Sequence, residues 1–324
     1  MTGRDGAAKT GRDGAAETGR DGAAGTGRDE AQETGPPGGA DAARPGARID
    51  GSGTPRARCV LAPNPSMMTL DGTNTWIVAE PGSATAIVVD PGPDDPGHLD
   101  RVREVAAQAG HRVGRIVLTH GHSDHSAGAR RLAELTGADV LAVDPAHRLG
   151  AGGLRAGGLG AGGLGPGATI GGAGCELRVI ATPGHTADSV CLLIEADGAL
   201  LTGDTVLGRG TTVIARDGSL GDYLNSLEEL RDVAATAQLQ VLLPGHGPLL
   251  ADPAGTLDYY LAHRAQRLAE IEAAVSAGDR TVEQIVARVY ADVDQSLWRF
   301  ARWSVLAQLA YLAERDALPP GMSR

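Results

Sequence analysis

The stretch LTHGHSDHSAG, residues 118 to 128, places His120, His122, Asp124 and His125 within six positions at the end of a short β-branched run. On a strand edge His120 and His122 point the same way, while Asp124 and His125 follow on the turn into the next amphipathic segment. One pair can grip one cation and the other pair a second. A surface or capping role accounts for one histidine, but not for three with an aspartate at this spacing. A metal site needs three or four groups converging from different elements, so other strand ends must meet this turn. The sequence supplies them: His185 in TPGHTADS follows the run 177–182, Asp204 in LLTGDTVLG follows 199–203, and His246 in LLPGHGP follows 239–244. Asp90 in IVVDPGP repeats the arrangement, and is expected either to orient a ligand from behind or to shape the turn before Pro91 and Gly92.

Strand character also marks 75–78, 84–90, 115–119, 138–143 and 189–196, and helical periodicity marks 97–109, 125–136 and 222–235. This alternation predicts a mixed α/β domain over 56–255. Residues 1–55 hold four near-copies of an octapeptide beginning TGRDGAAK, with almost nothing apolar larger than Ala, and read as a disordered tail. A Gly-rich insertion at about 149–167 contains Gly158, Gly160 and Gly163 in a G-x-G-x-x-G pattern. Gly-rich sequence continues on both sides, so it reads as a flexible surface insertion rather than a dinucleotide site. Residues 256–318 read as three helices, with a capping box from Thr281 to Gln284 and seven of the nine aromatics of the chain. Long, short and long, they resemble the helical part of a winged-helix module, followed by a tail at 319–324.

The formal charge of −11 divides as −2 over 1–55, −8 over 56–255 and −1 over the remainder. With no basic region there is no electrostatic case for tight double-stranded DNA binding. Cys59, Cys175 and Cys191 form no CxxC pair, which suits a reducing, cytoplasmic setting. No stretch approaches the roughly 18 apolar residues of a membrane span, so no membrane partner is expected. Cys191 lies in an apolar run and is expected to pack rather than react. His98, His111, His147 and His263 fall outside any motif. Arg299 and Arg302 beside Trp298, Phe300 and Trp303 could stack bases, but the aromatics sit at core spacing and packing is the expected role.

Together the ordered ligands resemble the metallo-β-lactamase superfamily, whose motifs run as strand-end Asp, HxHxDH, single His, bridging Asp and final His. The resemblance covers about 58–318. NPSMMTLDGTNTWIV, GDTVLGRGTTVIARDGSLGDYLNSLEEL and PGHGPLLADPAGTLDYYLAHRAQRLAEI resemble the branch with a C-terminal winged-helix-like domain, which includes a single-strand-specific endoribonuclease. The resemblance implies an α/β fold, an αββα sandwich with a small helical domain. It implies that His120, His122 and His185 hold one zinc, that Asp124, His125 and His246 hold a second, and that Asp204 bridges. A bridging carboxylate can keep two cations about 3.5 to 4 Å apart and so generate hydroxide near neutral pH. His122, Asp124 and Asp204 then stand at the catalytic centre, and a metal-bridging hydroxide is the expected nucleophile. Asp rather than Cys at 204 separates this pattern from lactamases with a thiolate ligand. Two substrates remain open: single-stranded RNA, or a small thioester or lactone, since the ligands serve both chemistries. A non-catalytic scaffold would be expected to have broken ligands, and all seven are intact.

Overall fold

The computed structural model describes residues 49–150, 154–155, 163–318 and 322. The octapeptide repeats, Gly158 and Gly160 of the Gly-rich insertion, and most of the tail at 319–324 lie outside the described residues.

Two sheets carry the fold. The first orders β1 (Ala57–Leu61), β2 (Asn74–Val78), β3 (Thr85–Val89), β4 (Arg112–Val117), β5 (Asp139–Leu141), β6 (Leu149–Gly150) and β7 (Leu154–Arg155) side by side. The second orders β12 (Val241–Pro244), β11 (Ala199–Gly203), β10 (Val190–Ile194), β9 (Leu177–Ala181) and β8 (Thr169–Ile170). In β10 every residue is buried, which the alternation of side chains explains. Val190, Leu192 and Ile194 join the core between the sheets, whereas Cys191 and Leu193 face a second core on the outer side. Strands covered on both faces read as continuous apolar runs. The helices α1 (Pro96–Gln108), α2 (Ser123–Ser126) and α3 (Ala129–Thr136) accompany the first sheet. Leu99, Val102 and Leu132 from α1 and α3 are fully buried in the first core. On the other side α4 (Leu220–Thr236) and α5 (Pro253–Ser276) close the second core with Tyr223, Leu227, Leu257 and Tyr260. The result is an αββα sandwich.

Parallel pairing of β3 with β4 and of β11 with β12 points Val89, Val117, Gly203 and Pro244 toward one rim. Cross-sheet bonds stitch that rim: the amide of Asn74 donates to Gly245 O at 2.7 Å, and that of Val190 to Thr119 O at 2.9 Å. The Asn74 side chain donates to Pro244 O and Gly247 O, and the Trp76 indole to Pro244 O.

The helical segment after β12 is continuous with the sandwich. The first half of α5 completes the second core, and its second half packs with α6 (Val282–Val289) and α7 (Trp298–Glu314) around Ile271, Ile285, Val305 and Leu309. Thr281 and Gln284 form the expected capping box. Arg302 pairs with Glu283, and Arg299 stacks on Phe300 at 4.3 Å. Strand β1 was not singled out by the sequence although four of its five residues are apolar, and β6, β7 and β8, at two residues each, are too short to carry a readable period. The Gly-rich insertion is ordered at both ends: Leu149 and Leu164 are buried in the first core, and β6 and β7 extend the first sheet. Among the described residues no helix is long and apolar enough to cross a membrane.

Because Leu257 is fully buried in the second core, Leu257→Ala should cost about 2 to 5 kcal/mol. A chain ending at residue 250 should lose its cooperative unfolding transition altogether. Thermal and denaturant melts check both, and an unchanged melt of the truncated chain would contradict the shared core.

Candidate active site

The strand ends deliver the seven expected side chains to one place. His120 and His122 follow β4, and Asp124 and His125 start α2. His185 follows β9, Asp204 follows β11, and His246 follows β12. The ligand atoms of three trios each lie within 4.8 Å of one another: His120, His122 and His185; His120, His125 and Asp204; Asp124, His125 and His246. Asp204 Oδ1 is 3.3 Å from His125 Nε2 and 3.4 Å from His246 Nε2, and its Oδ2 is 3.7 Å from His185 Nε2, so this carboxylate lies between the two outer groups.

Close approaches of the chain make room for this. Gly184 has φ of +144°, and a Cβ there would fall 2.4 Å from Tyr223 Cβ, so only glycine lets the turn bearing His185 lie on α4. A Cβ on Gly245 would sit 2.7 Å from Asp204 Oδ1 and 2.8 Å from His125 Cε1, inside the cluster itself.

Each imidazole has its outward nitrogen committed to an oxygen. His125 Nδ1 lies 2.9 Å from Asp90 Oδ2, His185 Nδ1 lies 2.9 Å from Val213 O, and His246 Nδ1 lies 3.2 Å from Gly72 O. His122 Nε2 lies 2.9 Å from Asp217 Oδ2. Carbonyls and carboxylates only accept, so these nitrogens carry the hydrogen. His120 Nδ1 lies 3.1 Å from Thr119 Oγ1, whose own proton goes to Asp90 Oδ2 at 2.7 Å, leaving that oxygen to accept from His120. Five lone pairs therefore point inward. His125 Nε2 and His246 Nε2 are 3.1 Å apart, and His122 Nδ1 and His185 Nε2 are 3.0 Å apart. Lone pairs facing at that range need positive charge between them, a proton or a metal ion. His120 Nε2 and Asp204 Oδ1 are buried with no hydrogen-bond partner at all, a cost that a coordinated cation removes. Neutral imidazoles and carboxylates in this number suit zinc-type ions.

The electrostatics agree. Burial holds His120 well below its usual pKa and lowers His185. Burial also opposes charge on His246, yet the Asp204 carboxylate and the bond to Asp124 raise it to about 9. His125 is likewise raised against its burial by Asp204 and Asp90. Asp204, though buried, is held well below the carboxylate range by His246 and His125, and Asp124 is lowered against its burial by its bond to His246. Protonation is favoured on the facing pair His125 and His246 and disfavoured on His120 and His185.

Asp90 sits behind the cluster with φ of +51°, a conformation that costs a non-glycine residue of order 1 kcal/mol. Its carboxylate accepts from the Thr119 amide at 2.8 Å as well as from Thr119 Oγ1 and His125. The turn and the ligand contact, posed as alternatives by the sequence, coexist. Thr119, Asp217 and the carbonyls of Gly72 and Val213 were not singled out by sequence; Thr119 abuts His120, but nothing marked Asp217. Cys191 is fully buried in the second core with its thiol pushed up to about 12 by desolvation. His98 is buried against Thr75 Oγ1 at 2.9 Å, a hydroxyl that donates to Asp90 O, and His263 stacks on Tyr259; neither belongs to the grouped ligands.

Removing the acceptor behind His125 should loosen the metal site, so Asp90→Ala should weaken metal affinity about 10- to 100-fold. Asp90→Asn, which tolerates the positive φ, should weaken it less; equal affinities in competition titrations with a chelator would contradict this. In metal-free protein the raised pKa of His246 adds stability that is complete below 6.5 and disappears as pH rises toward about 9. The melting temperature of stripped protein should fall across that window while zinc-loaded protein shows no such fall. A flat profile for the stripped form would contradict the assignment.

Comparison with known proteins agrees with this fold. Residues 68–246 match the Metallo-beta-lactamase superfamily, and residues 281–317 match the Beta-lactamase associated winged helix domain. A Beta-lactamase-like protein 2 homolog from Drosophila melanogaster is 31% identical over 80% of this chain and 88% of its own. An Atrochrysone carboxyl ACP thioesterase from Aspergillus chevalieri is 30% identical over 75% of this chain and 76% of its own. The solved structure of a beta-lactamase domain protein from Burkholderia ambifaria shares the fold, with a TM-score of 0.67 and 23% identity over 82% of this chain and 88% of that one. A chain that brings the ordered His and Asp ligands to the rim of an αββα sandwich, and matches the family over most of that sandwich, belongs to the metallo-beta-lactamase superfamily, in the company of members with a C-terminal winged-helix domain.

Proposed function

We propose that the chain is a hydrolase that works with two zinc ions and cleaves an acyl thioester or a comparable small ester. The observation that carries the two-ion reading is the set of five inward lone pairs around the buried, partnerless Asp204 Oδ1. His120, His122 and His185 would hold one ion, Asp124, His125 and His246 the other, with Asp204 shared. When bound, such ions supply an ionised water near neutral pH and positive charge for the oxyanion of the substrate.

The chain's own groups divide the remaining work. Asp124 is more open than Asp204, with 29% against 12% of its side chain exposed. It is the carboxylate placed to orient the attacking water and to hold its proton for the leaving group. Asp90 and Thr119 keep His125 and His120 in their tautomers, so no reorganisation is needed at the moment of reaction.

Features beside the cluster favour an acyl substrate over a nucleic acid. The loop supplying Gly72 O to His246 also carries Met67 and Met68, exposed at 51% and 40%, an apolar edge suited to an acyl chain. On the same side Arg209 is engaged by Asp71 at 2.6 Å, and Asp217 and Asp188 add negative charge near His122 and Gly121. A phosphate track needs unpaired cations. The thioesterase among the relatives points the same way. Cleavage of single-stranded RNA is the competing reading, supported by the resemblance of the sequence to the branch with a C-terminal winged-helix-like domain.

Zinc-loaded protein assayed on acyl thioesters, lactones, and single-stranded and duplex RNA should hydrolyse a thioester or ester in a chelator-sensitive way. RNA cleavage, where seen, should be weak, confined to unpaired strands and shallow in salt dependence. Efficient chelator-sensitive RNA cleavage without thioester or lactone turnover would overturn the substrate assignment.

A further inference from the structure

The segment from Leu207 to Ser219 touches two ligands of one metal position, the shared Asp204 and the appended helix at once. On the inner side, Thr212 Oγ1 donates to Asp204 O at 2.6 Å, Val213 O accepts from His185 Nδ1, and Asp217 Oδ2 accepts from His122 Nε2. Within six residues it fixes three ligands. Backbone bonds lay it on the neighbouring turn, with the Ala187 amide donating to Asp217 O and the Ser219 amide to Gly184 O. On the outer side, the fully buried Tyr260 of α5 accepts from the Leu207 amide at 2.9 Å and donates to Gly210 O at 3.0 Å. Arg264, one turn further along α5, donates to Thr212 O while its guanidinium stacks over Tyr223 at 5.0 Å. The other ligands are held elsewhere: His125 by Asp90, and His246 by Gly72 O.

We propose that this segment is a strap by which the C-terminal helical module sets the affinity of one of the two metal positions, that of His120, His122 and His185, and that Asp217, Tyr260 and Arg264 are its positioning residues. The inference rests on the two-ion reading above. Tyr260 and Arg264 fix the backbone of the strap, and the strap fixes the tautomer and direction of His122 and His185. Partners behind a ligand typically govern metal affinity by one to two orders of magnitude. On this account the module contributes to ion retention even if it never touches substrate.

The test uses the full chain loaded with zinc, with metal content measured by atomic emission and the two affinities by competition with a chromogenic chelator. Wild type should hold two ions. Asp217→Ala and Arg264→Met should each weaken by about 10- to 100-fold the ion that His122→Ala removes, and Asp217→Ala, which touches no shared ligand, should leave the other ion at its wild-type affinity. Asp217→Asn, whose amide oxygen still accepts from Nε2–H, should recover most of the loss, and Tyr260→Phe should weaken the same ion. Asp217 is exposed, with 53% of its side chain accessible, so its variants decide the matter even if Arg264→Met melts early. Unchanged affinities in Asp217→Ala, or equal weakening of both ions, would overturn the strap while leaving two ions in wild type. Fewer than two ions in wild type would overturn both the strap and the reading beneath it.

Discussion

Everything at the centre of this molecule follows from imidazole lone pairs that face one another at about hydrogen-bond distance with no proton of their own to share. That arrangement is unfavourable in a neutral protein, and it persists because each ring is held from behind by an oxygen that can only accept, or whose own proton is committed elsewhere. Asp90 is the most committed of these supports. It takes three hydrogen bonds, holds a left-handed backbone conformation, and links the Thr119 amide, the Thr119 hydroxyl and His125 in one network. Positive charge must enter to make the cluster stable, and the protein offers it a place between Asp204, Asp124 and the five rings.

The fold is what makes such a cluster affordable. Two sheets buried on both faces give strands whose ends cannot drift, and the bonds from Asn74 and Trp76 to the carbonyls around His246 fasten the rim of one sheet to the other. Side chains on short turns after strands fixed in this way are held in place by the scaffold itself. The appended helices belong to this scaffold: Leu257 and Tyr260 lie in the core under the second sheet, and the hydroxyl of Tyr260 and the guanidinium of Arg264 reach the segment behind His185 and His122.

Much of this was legible in the sequence. The long apolar strands β2, β3, β9, β10 and β11 stand out because burial on both faces demands continuous apolar runs, and the seven ligands stand out because imidazole and carboxylate side chains seldom crowd Gly/Pro turns by chance. The supports behind the ligands were harder to see. Asp217 sits in an ordinary-looking ARDGSL turn, and the carbonyls of Val213 and Gly72 belong to no residue type, so only the folded chain brings them to His122, His185 and His246. Strands β6 to β8 were missed because glycine-rich sequence carries no side-chain period to read, although Leu149 and Leu164 anchor its ends in the core. The sequence divides the chain at 255/256, yet α5 spans that division and buries Leu257 and Tyr260 in the sandwich's own second core.

Diffraction at the zinc absorption edge from crystals of the zinc-loaded protein tests the central claim most directly, because it locates ions independently of any activity. The account predicts two anomalous peaks about 3.5 to 4 Å apart, one against His120, His122 and His185, the other against Asp124, His125 and His246, with Asp204 reaching both. A single peak, or ions bound away from these seven residues, would contradict it.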